Sequence, residues 1–446
     1  MNKMFTPSGA IVAVGILIIA TFAYQHTKTN PPQIKKNFES MDVVDENKTQ
    51  EETPKQSDAE NTATTKNPFS LENLAVLPIQ QKNNLAGDPN RPGWEILSDK
   101  ERARLPACGS ALMTTPPVPL SSIVAIEPIG SANPPEHTLA SISSDTYIGV
   151  VGQGTTQTTP LVAPGDMWII LINPRYGGVS QDPEDHTITY AFCKDVYGIV
   201  DHVKSFSPEM RALLDAYPCP YKSTSSSGGS CPSLLMAPVK AGTPLGTVGR
   251  IQGNFNFGTW DLRITHNFAN SSRHGFRTKH STCPLDYFTS PLKEELIKKI
   301  EKTANGMCGS VEHDVLGTLS GDWFIGNATP RRPADWGKLL YFGPNNRLAG
   351  LSVISISGIV VPQPTKWIFE AVSAGNTNRK FEDVRPGVIY CYDNDGKHTQ
   401  KNYEKGVLSG RFLVELTSST ALKIEHQESL CQNGMLEFKN PTTYIR

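Results

Sequence analysis

The stretch "VKAGTPLGTVGRIQGNFNFGTWDLRITHNF", residues 239 to 268, decides the reading of the middle of this chain. Its first part, "VKAGTPLGTVG", places two short half-buried strands around a glycine turn. Outward from it, between Ser121 and about Asn305, apolar runs such as "DMWIILIN" and "HTITYAF" alternate with turn signals, which predicts a β-rich body. Two helices interrupt that pattern. "SPEMRALLDAY" (207 to 217) offers Ser207 as N-cap, Pro208 at the first helical position, and Met210, Leu213, Leu214 and Tyr217 on one face. "SPLKEELIKKIEKTANG" (290 to 306) carries a Leu292, Leu296, Ile297 and Ile300 stripe that Gly306 stops.

The carboxyl-terminal part has no comparable helical period. It holds "LSVISISGIVV", "TKWIFEAV", "GVIYCY", "GRFLVEL" and "ALKIEH", short strands punctuated by Asn, Gly and Pro, which predicts an antiparallel barrel or sandwich. The "GDW" at 321 to 323 reads as a Trp that plugs one end of such a core, and its likeness to the Gly-x-Trp of lipocalin-like barrels is a single tripeptide.

At the other end, Met4 to Gln25 carries no charge, and its apolar centre "AIVAVGILIIATFAY" follows Lys3. This is an export segment, either a retained signal anchor or a cleaved signal peptide. Residues 25 to 90 ("DENKTQEETPKQSDAENTATTKN" within them) are polar and nearly free of aromatic residues. Such a stretch cannot bury enough apolar surface to offset its ordering entropy and reads as a disordered tether. The amphipathic "WEILSDKERARL" and the spacer "TTPPVPL" follow. With 42 basic against 43 acidic residues and no dense basic run, a nucleic-acid partner is not expected. The eight cysteines, Cys108, Cys193, Cys219, Cys231, Cys283, Cys308, Cys391 and Cys431, form no CxxC. Behind an export segment their even number suits disulfides, and buried free thiols are the alternative. Cys219 and Cys231 flank a Ser/Gly loop and are the expected local pair.

The run "VKAGTPLGTVG" resembles the V-x-x-G-x-x-I-G-x-V-G segment shared by lysostaphin-type (LytM-like) zinc endopeptidases and by biotinyl- and lipoyl-type barrels, both small β-sheet sandwiches. The resemblance extends from Asn133 to Phe288. In those peptidases the run leads to a strand with His-x-His, whose second His binds zinc and whose first acts on water or substrate. Residues i and i+2 of a strand share a face, so that spacing can serve one metal. Laid on it, "GTWDLRI" puts Thr259 at the first His position and Asp261 at the second. Upstream the family supplies His-x-x-x-Asp. Here "PEHTLASISSDTYIG" offers His137 and Asp145 with seven residues between them, and Ser141 stands where the usual spacing wants the His. A cleft Tyr-x-His-Leu is matched by "IVDHVKSFS", with His202 in place and Val200 for the Tyr.

The resemblance thus implies His137, Asp145 and Asp261 as metal ligands and His202 as the remaining catalytic group that could move a proton. Carboxylates in place of imidazoles leave a zinc ion less electrophilic, and Thr259 cannot replace an acid/base His. Each residue also has a plainer reading. His137 follows a turn and can be a solvated loop residue, Asp145 can cap a strand start, Asp201 can pair with His202, and Asp261 can bond Arg263 or Thr265. His266, His274 and His280 read as exposed loop histidines. The chain shows no Gly-x-Ser-x-Gly elbow, phosphate-binding loop or nucleotide fingerprint.

The expected architecture is mainly β. It comprises an export segment at 1–24, a tether at 25–90, an extension with a Pro-rich spacer at 91–120, a LytM-like β domain with two short helices at 121–305, and an all-β antiparallel barrel or sandwich at 306–446. The resemblance implies an exported, membrane-tethered envelope protein whose peptidase-like domain lacks catalysis, holds no cofactor and binds peptidoglycan or an envelope protein. One alternative is a zinc-dependent peptidoglycan endopeptidase with an altered metal site. Another is a structural surface protein that binds through strand edges or loops. The expected location is the extracytoplasmic face of a membrane, or outside the cell if the segment is cleaved.

Overall fold

The computed structural model describes residues 97, 99–151, 157–174, 185–216, 233–301, 308–330, 332–393 and 409–446, all within one compact unit, Thr65–Arg446. The export segment, the tether and the Cys219–Cys231 pair lie outside the described residues. No helix among the described residues is long and apolar enough to cross a membrane.

The amino-terminal strands are β1 (Ile123–Glu127), β2 (Asp145–Val150), β3 (Thr159–Val162), β4 (Met167–Pro174), β5 (His186–Ala191), β6 (Val196–Val203), β7 (Ser205–Phe206), β8 (Ser233–Val239), β9 (Pro244–Val248), β10 (Asn254–Asp261) and β11 (Ser281–Thr282). They form an eight-stranded antiparallel sheet in the order β1-β2-β10-β6-β5-β4-β8, with β11 beside β10, and a three-stranded sheet β3-β9-β7. Both faces of the large sheet are covered, which is why "DMWIILIN" is apolar throughout rather than alternating. On one face Ile126, Ile148, Ile169, Val200, Phe255 and Phe257 pack against Leu161, Leu245 and Val248 of the small sheet, so this body is a sandwich. On the other face Tyr197, Ile199 and Trp260 pack against Leu97 and Leu105 of the amphipathic segment. That segment is helical only over Asp99–Arg102 (α1) and reaches the core through its two leucines. Val118 of the Pro-rich stretch is fully buried.

The glycine turn does not join two paired strands. β8 belongs to the large sheet and β9 to the small one, so the turn carries the chain from one layer to the other. Gly242, at φ +80°, sits where the Thr243 N–H closes on the Lys240 carbonyl, a position that type II turns reserve for glycine. The first predicted helix is present as α2 (Pro208–Ala216), with the Met210 N–H donating to the Ser207 hydroxyl at 3.2 Å as a true N-cap. α3 (Phe276–His280) is a single short turn. The second predicted helix, α4, spans only Leu292–Ile297. It stops early because the next residues pair with the edge of β1: Ile126 N–H donates to the Lys299 carbonyl at 2.8 Å, and Glu301 N–H to the Ile126 carbonyl at 2.9 Å.

The carboxyl-terminal strands are β12 (Gly321–Phe324), β13 (Leu339–Pro344), β14 (Ser352–Ile356), β15 (Thr365–Phe369), β16 (Ile389–Asp393), β17 (Arg411–Ser418), β18 (Ala421–Gln427) and β19 (Thr442–Ile445). Every pairing is antiparallel, in the order β15-β14-β13-β12-β19-β18-β17-β16. The edge strands meet through rings: Phe369 lies 5.4 Å from Tyr392, and Phe381 wedges against both. The expected barrel or sandwich is therefore a nearly closed barrel around one aromatic core. Trp323 of "GDW" is fully buried there. Its indole N–H donates to the Leu319 carbonyl, and the Arg446 guanidinium lies over its ring at 4.1 Å.

The outer wall of the barrel packs on the sandwich through Leu139 and Ala140 against Phe324, Leu339, Tyr341 and Val353. A polar node closes this seam. Ser141 donates to Asp322, whose own N–H donates to Asp314, and Asp314 also accepts the Ala269 N–H. His274 faces Asp322 at 4.0 Å and is nearly fully buried, contrary to its expected place on an exposed loop. It stacks on Phe268, and burial takes its pKa down to about 3.

Burial and the neighbouring Asp314 charge push the Asp322 carboxyl well up, against the opposing Ser141 bond. A carboxyl raised on folding favours the native state below its unfolded pKa and loses that contribution as pH rises toward its folded pKa. Asp322→Asn removes the loss. The variant's advantage in unfolding free energy over the parent is expected to grow between pH 4 and pH 8 by up to ~1.4 kcal/mol per pH unit crossed. Urea melts at several pH values read this directly, and a pH-independent difference would contradict the buried-charge account.

Candidate functional site

The strand order places all four residues of the implied zinc site on β2, β10, β6 and the approach to β2, which are adjacent in the sheet. Adjacency does not bring them together. Asp145 pairs directly with Gly258. Cross-strand partners share a face, so Asp145 lies on the face of Gly258 and Trp260, while Asp261 lies on the opposite face with Phe257 and Thr259. The two carboxylates are separated by the thickness of the sheet.

Each is also engaged. Arg277 Nη2 reaches both oxygens of Asp145 at 2.7 and 2.9 Å, and its guanidinium lies 5.0 Å from the centre of the Trp260 ring. Gly258 makes that pair possible, because a Cβ there would stand 2.0 Å from the nearer Asp145 oxygen. Asp261 accepts from Arg263 Nε at 2.8 Å, from the Arg263 N–H at 3.0 Å and from the Tyr287 hydroxyl at 2.8 Å. Burial opposes its charged form, but these donors outweigh it and hold the carboxyl below the usual range. The plainer reading of Asp261, a bond to Arg263, is the geometry found.

His202 sits at the far end. Val200 pairs with Phe257 and Val196 with Asp261, so His202 lies six residues of β6 beyond the Asp261 level, or ~20 Å along the strand. It is buried, takes φ +63° and pairs through Nδ1 with Asp185 at 3.1 Å rather than with Asp201. Asp201 instead accepts from the Thr187 hydroxyl at 2.5 Å. Thr259 is buried beneath the sheet on the Asp261 face.

His137 bonds the Tyr147 hydroxyl through Nε2 at 3.0 Å, and burial lowers its pKa against the charges of Glu136 and Asp145. The residues between His137 and Asp145 explain the missing imidazole. Leu139 to Ser144 turn into the seam, and Ser141 is spent on Asp322. Among the described residues, three potential ligand atoms come within 4.8 Å of one another only at Cys391, Asp393 and Cys431. Two of these are joined as a disulfide, and Asp393 accepts the Cys431 N–H. Disulfides also link Cys108 to Cys193 and Cys283 to Cys308, as the cysteine count suggests for an oxidising compartment.

A different constellation occupies the Asp145 face. Glu127 pairs across with Tyr147, Tyr147 with Asn256, and Asn256 stands level with Asp201, so a polar row crosses four strands. Tyr147 is its centre. Burial and then the charges of Asp145, Glu127 and Asp201 push its phenol well up, so it is a neutral donor at any physiological pH, against the bond with Asn256. Sequence reading passed over Asn254 and Asn256, which have i, i+2 spacing on the strand after the glycine turn but carry amides where a metal site needs imidazoles. The row offers amide and carboxylate groups and a phenol, and His137 Nε2 meets that phenol at its edge.

No protein-family model and no curated protein matches the chain. Among solved structures, Csd3 from Helicobacter pylori in a hexagonal crystal is similar at 12% identity and a TM-score of 0.22, over 40% of this chain and 34% of that one. The orthorhombic form of Csd3 gives 13% identity and a TM-score of 0.22, over 43% and 40%. The chain thus spans well under half the length of the Csd3 chains it matches.

Proposed function

We propose that this is an exported, membrane-tethered envelope protein whose peptidase-like β sandwich has lost hydrolysis and acts by binding peptidoglycan or an envelope protein. The observation that carries the reading is the placement of Asp145 and Asp261 on opposite faces of one sheet, each closed by its own arginine. A zinc ion with ligand distances of ~2 Å cannot reach both. The three disulfides among the described residues agree with an extracytoplasmic location.

The test pairs binding with turnover. Purified protein incubated with sacculi and added zinc is expected to co-sediment with them and release no soluble stem peptides. Peptide release that disappears in Asp261→Ala would overturn the reading and restore the endopeptidase. Absence of both binding and release would move the search to protein partners.

A further inference from the structure

One face of β16 carries two metal-ligating side chains at i and i+2, the spacing that suits a single ion. Tyr390 and Tyr392 point into the aromatic core of the barrel, so Cys391 and Asp393 share the outer face. The loop between β18 and β19 brings Cys431 to them, and the three ligand atoms lie within 4.8 Å of one another. In this structure the two sulfurs are bonded to each other.

The loop does not depend on that bond alone. Arg411, the buried cross-strand partner of Asp393, donates to the carbonyls of Leu430 at 3.1 Å, Asn433 at 3.4 Å and Met435 at 3.1 Å. Asp393 accepts the Cys431 N–H through both oxygens at 2.8 and 3.0 Å, and Glu425 accepts the N–H groups of Lys439 and Asn440 at 2.7 and 2.9 Å. These bonds run along the loop from Leu430 to Asn440, so opening the disulfide leaves both sulfurs beside Asp393.

We propose that, once a dithiol reductant opens this disulfide, Cys391, Asp393 and Cys431 form a zinc site. The reductant's thiolate attacks the Cys431 sulfur, because Cys391 is fully buried and Cys431 only half-buried, and Cys391 leaves as a thiolate. The reductant's second sulfur then attacks its first, which forms the reductant's own disulfide and releases Cys431, so two electrons pass from reductant to protein. Zinc binds both thiolates and one carboxylate oxygen, any thiol protons go to solvent, and a fourth position is left for water. Tetrahedral zinc sets its two sulfurs about 3.8 Å apart. Side-chain rotation reaches that spacing across a Cα separation of 5.8 Å. A carboxylate oxygen has two lone pairs, so Asp393 ligates without giving up the Cys431 N–H. Two thiolates, a carboxylate and Zn²⁺ leave one net negative charge, which Arg411 offsets from the facing strand. Thiolate ligands select zinc over calcium or magnesium. The same three residues thus hold either a disulfide or a metal, independently of what the sandwich binds.

The test reduces the full-length protein with dithiothreitol, desalts it without oxygen and follows iodoacetamide labelling of each cysteine by peptide mass mapping, with zinc or with a chelator. Zinc is expected to slow labelling of Cys431 about tenfold or more, because only a free thiolate attacks the reagent, and to change Cys108, Cys193, Cys283 and Cys308 by less than about twofold. Asp393→Asn keeps an acceptor for the Cys431 N–H but removes the anionic ligand. It is expected to retain the parent's circular dichroism and to raise the zinc concentration for half-protection about tenfold or more. Cys391→Ser, tested without reduction so that the other disulfides stay closed, is expected to lose most of the protection at Cys431. Equal protection at all cysteines, protection undiminished in Asp393→Asn, or loss of native circular dichroism when the parent is reduced would each overturn the proposal.

Discussion

Trp323→Ala is expected to lower the unfolding free energy by about 4 kcal/mol, among the largest effects of any single substitution in the barrel. The ring is wholly excluded from water, so its removal leaves a cavity in a core of other large rings that cannot collapse into it. Two further losses accompany the cavity: the Leu319 carbonyl gives up the indole donor, and the Arg446 guanidinium loses the face on which it lies. Arg446 also donates to the Val315 and Ser320 carbonyls, so the tryptophan helps fix the last residue of β19's extension to the loop before β12. Trp323→Phe, which keeps most of the volume, is expected to recover more than half of the loss. Chemical denaturation followed by far-ultraviolet circular dichroism measures both, and equal destabilisation by Phe and Ala would assign the effect to the hydrogen bond instead.

Replacing Cys108 and Cys193 together by alanine is expected to cost about 4 kcal/mol. The bond closes a loop with a sequence separation of 85, the longest of the three disulfides among the described residues, and loop-closure entropy grows with the logarithm of loop length. The cost should be local in its consequences. Cys108 ends the segment that brings Leu97 and Leu105 onto Trp260, and Arg102 is the other anchor, through Asp195 at 3.0 Å. Limited proteolysis of the double variant is expected to cut first between residues 97 and 108. Cleavage elsewhere first would mean that packing alone holds this segment.

Much of the fold is legible along the chain because it is local. The Ser207 cap, the Gly242 turn and the strands at "GRFLVEL" and "ALKIEH" each depend on residues within a few positions, and each is present as read. What fails is what depends on distant partners. The stripe of α4 continues to Ile300 in sequence, but β1 offers Ile126 an edge partner, and strand pairing displaces the last helical turn. The glycine turn joins two layers rather than two neighbours, which no spacing in "VKAGTPLGTVG" records. His274 is buried because the barrel comes to lie against its loop. The implied site fails for the same reason. His137, Asp145, His202 and Asp261 occur in the order the resemblance requires, but the face on which each points is fixed by register, and register is a property of pairs of strands.

That register also bears on whether lost chemistry could return. Asp145 and Asp261 differ by an odd number of steps in the β2–β10 ladder, and no side-chain exchange at either position changes which way it points. Shifting β10 by one residue would bring Asp261 across, but it would also turn Phe255 and Phe257 out of the sandwich core and Trp260 into it. A descendant of this chain could alter what its surface binds by ordinary substitution. To assemble a metal between these two carboxylates it would need an insertion or deletion and a rebuilt core in one step, so the change is effectively one-way.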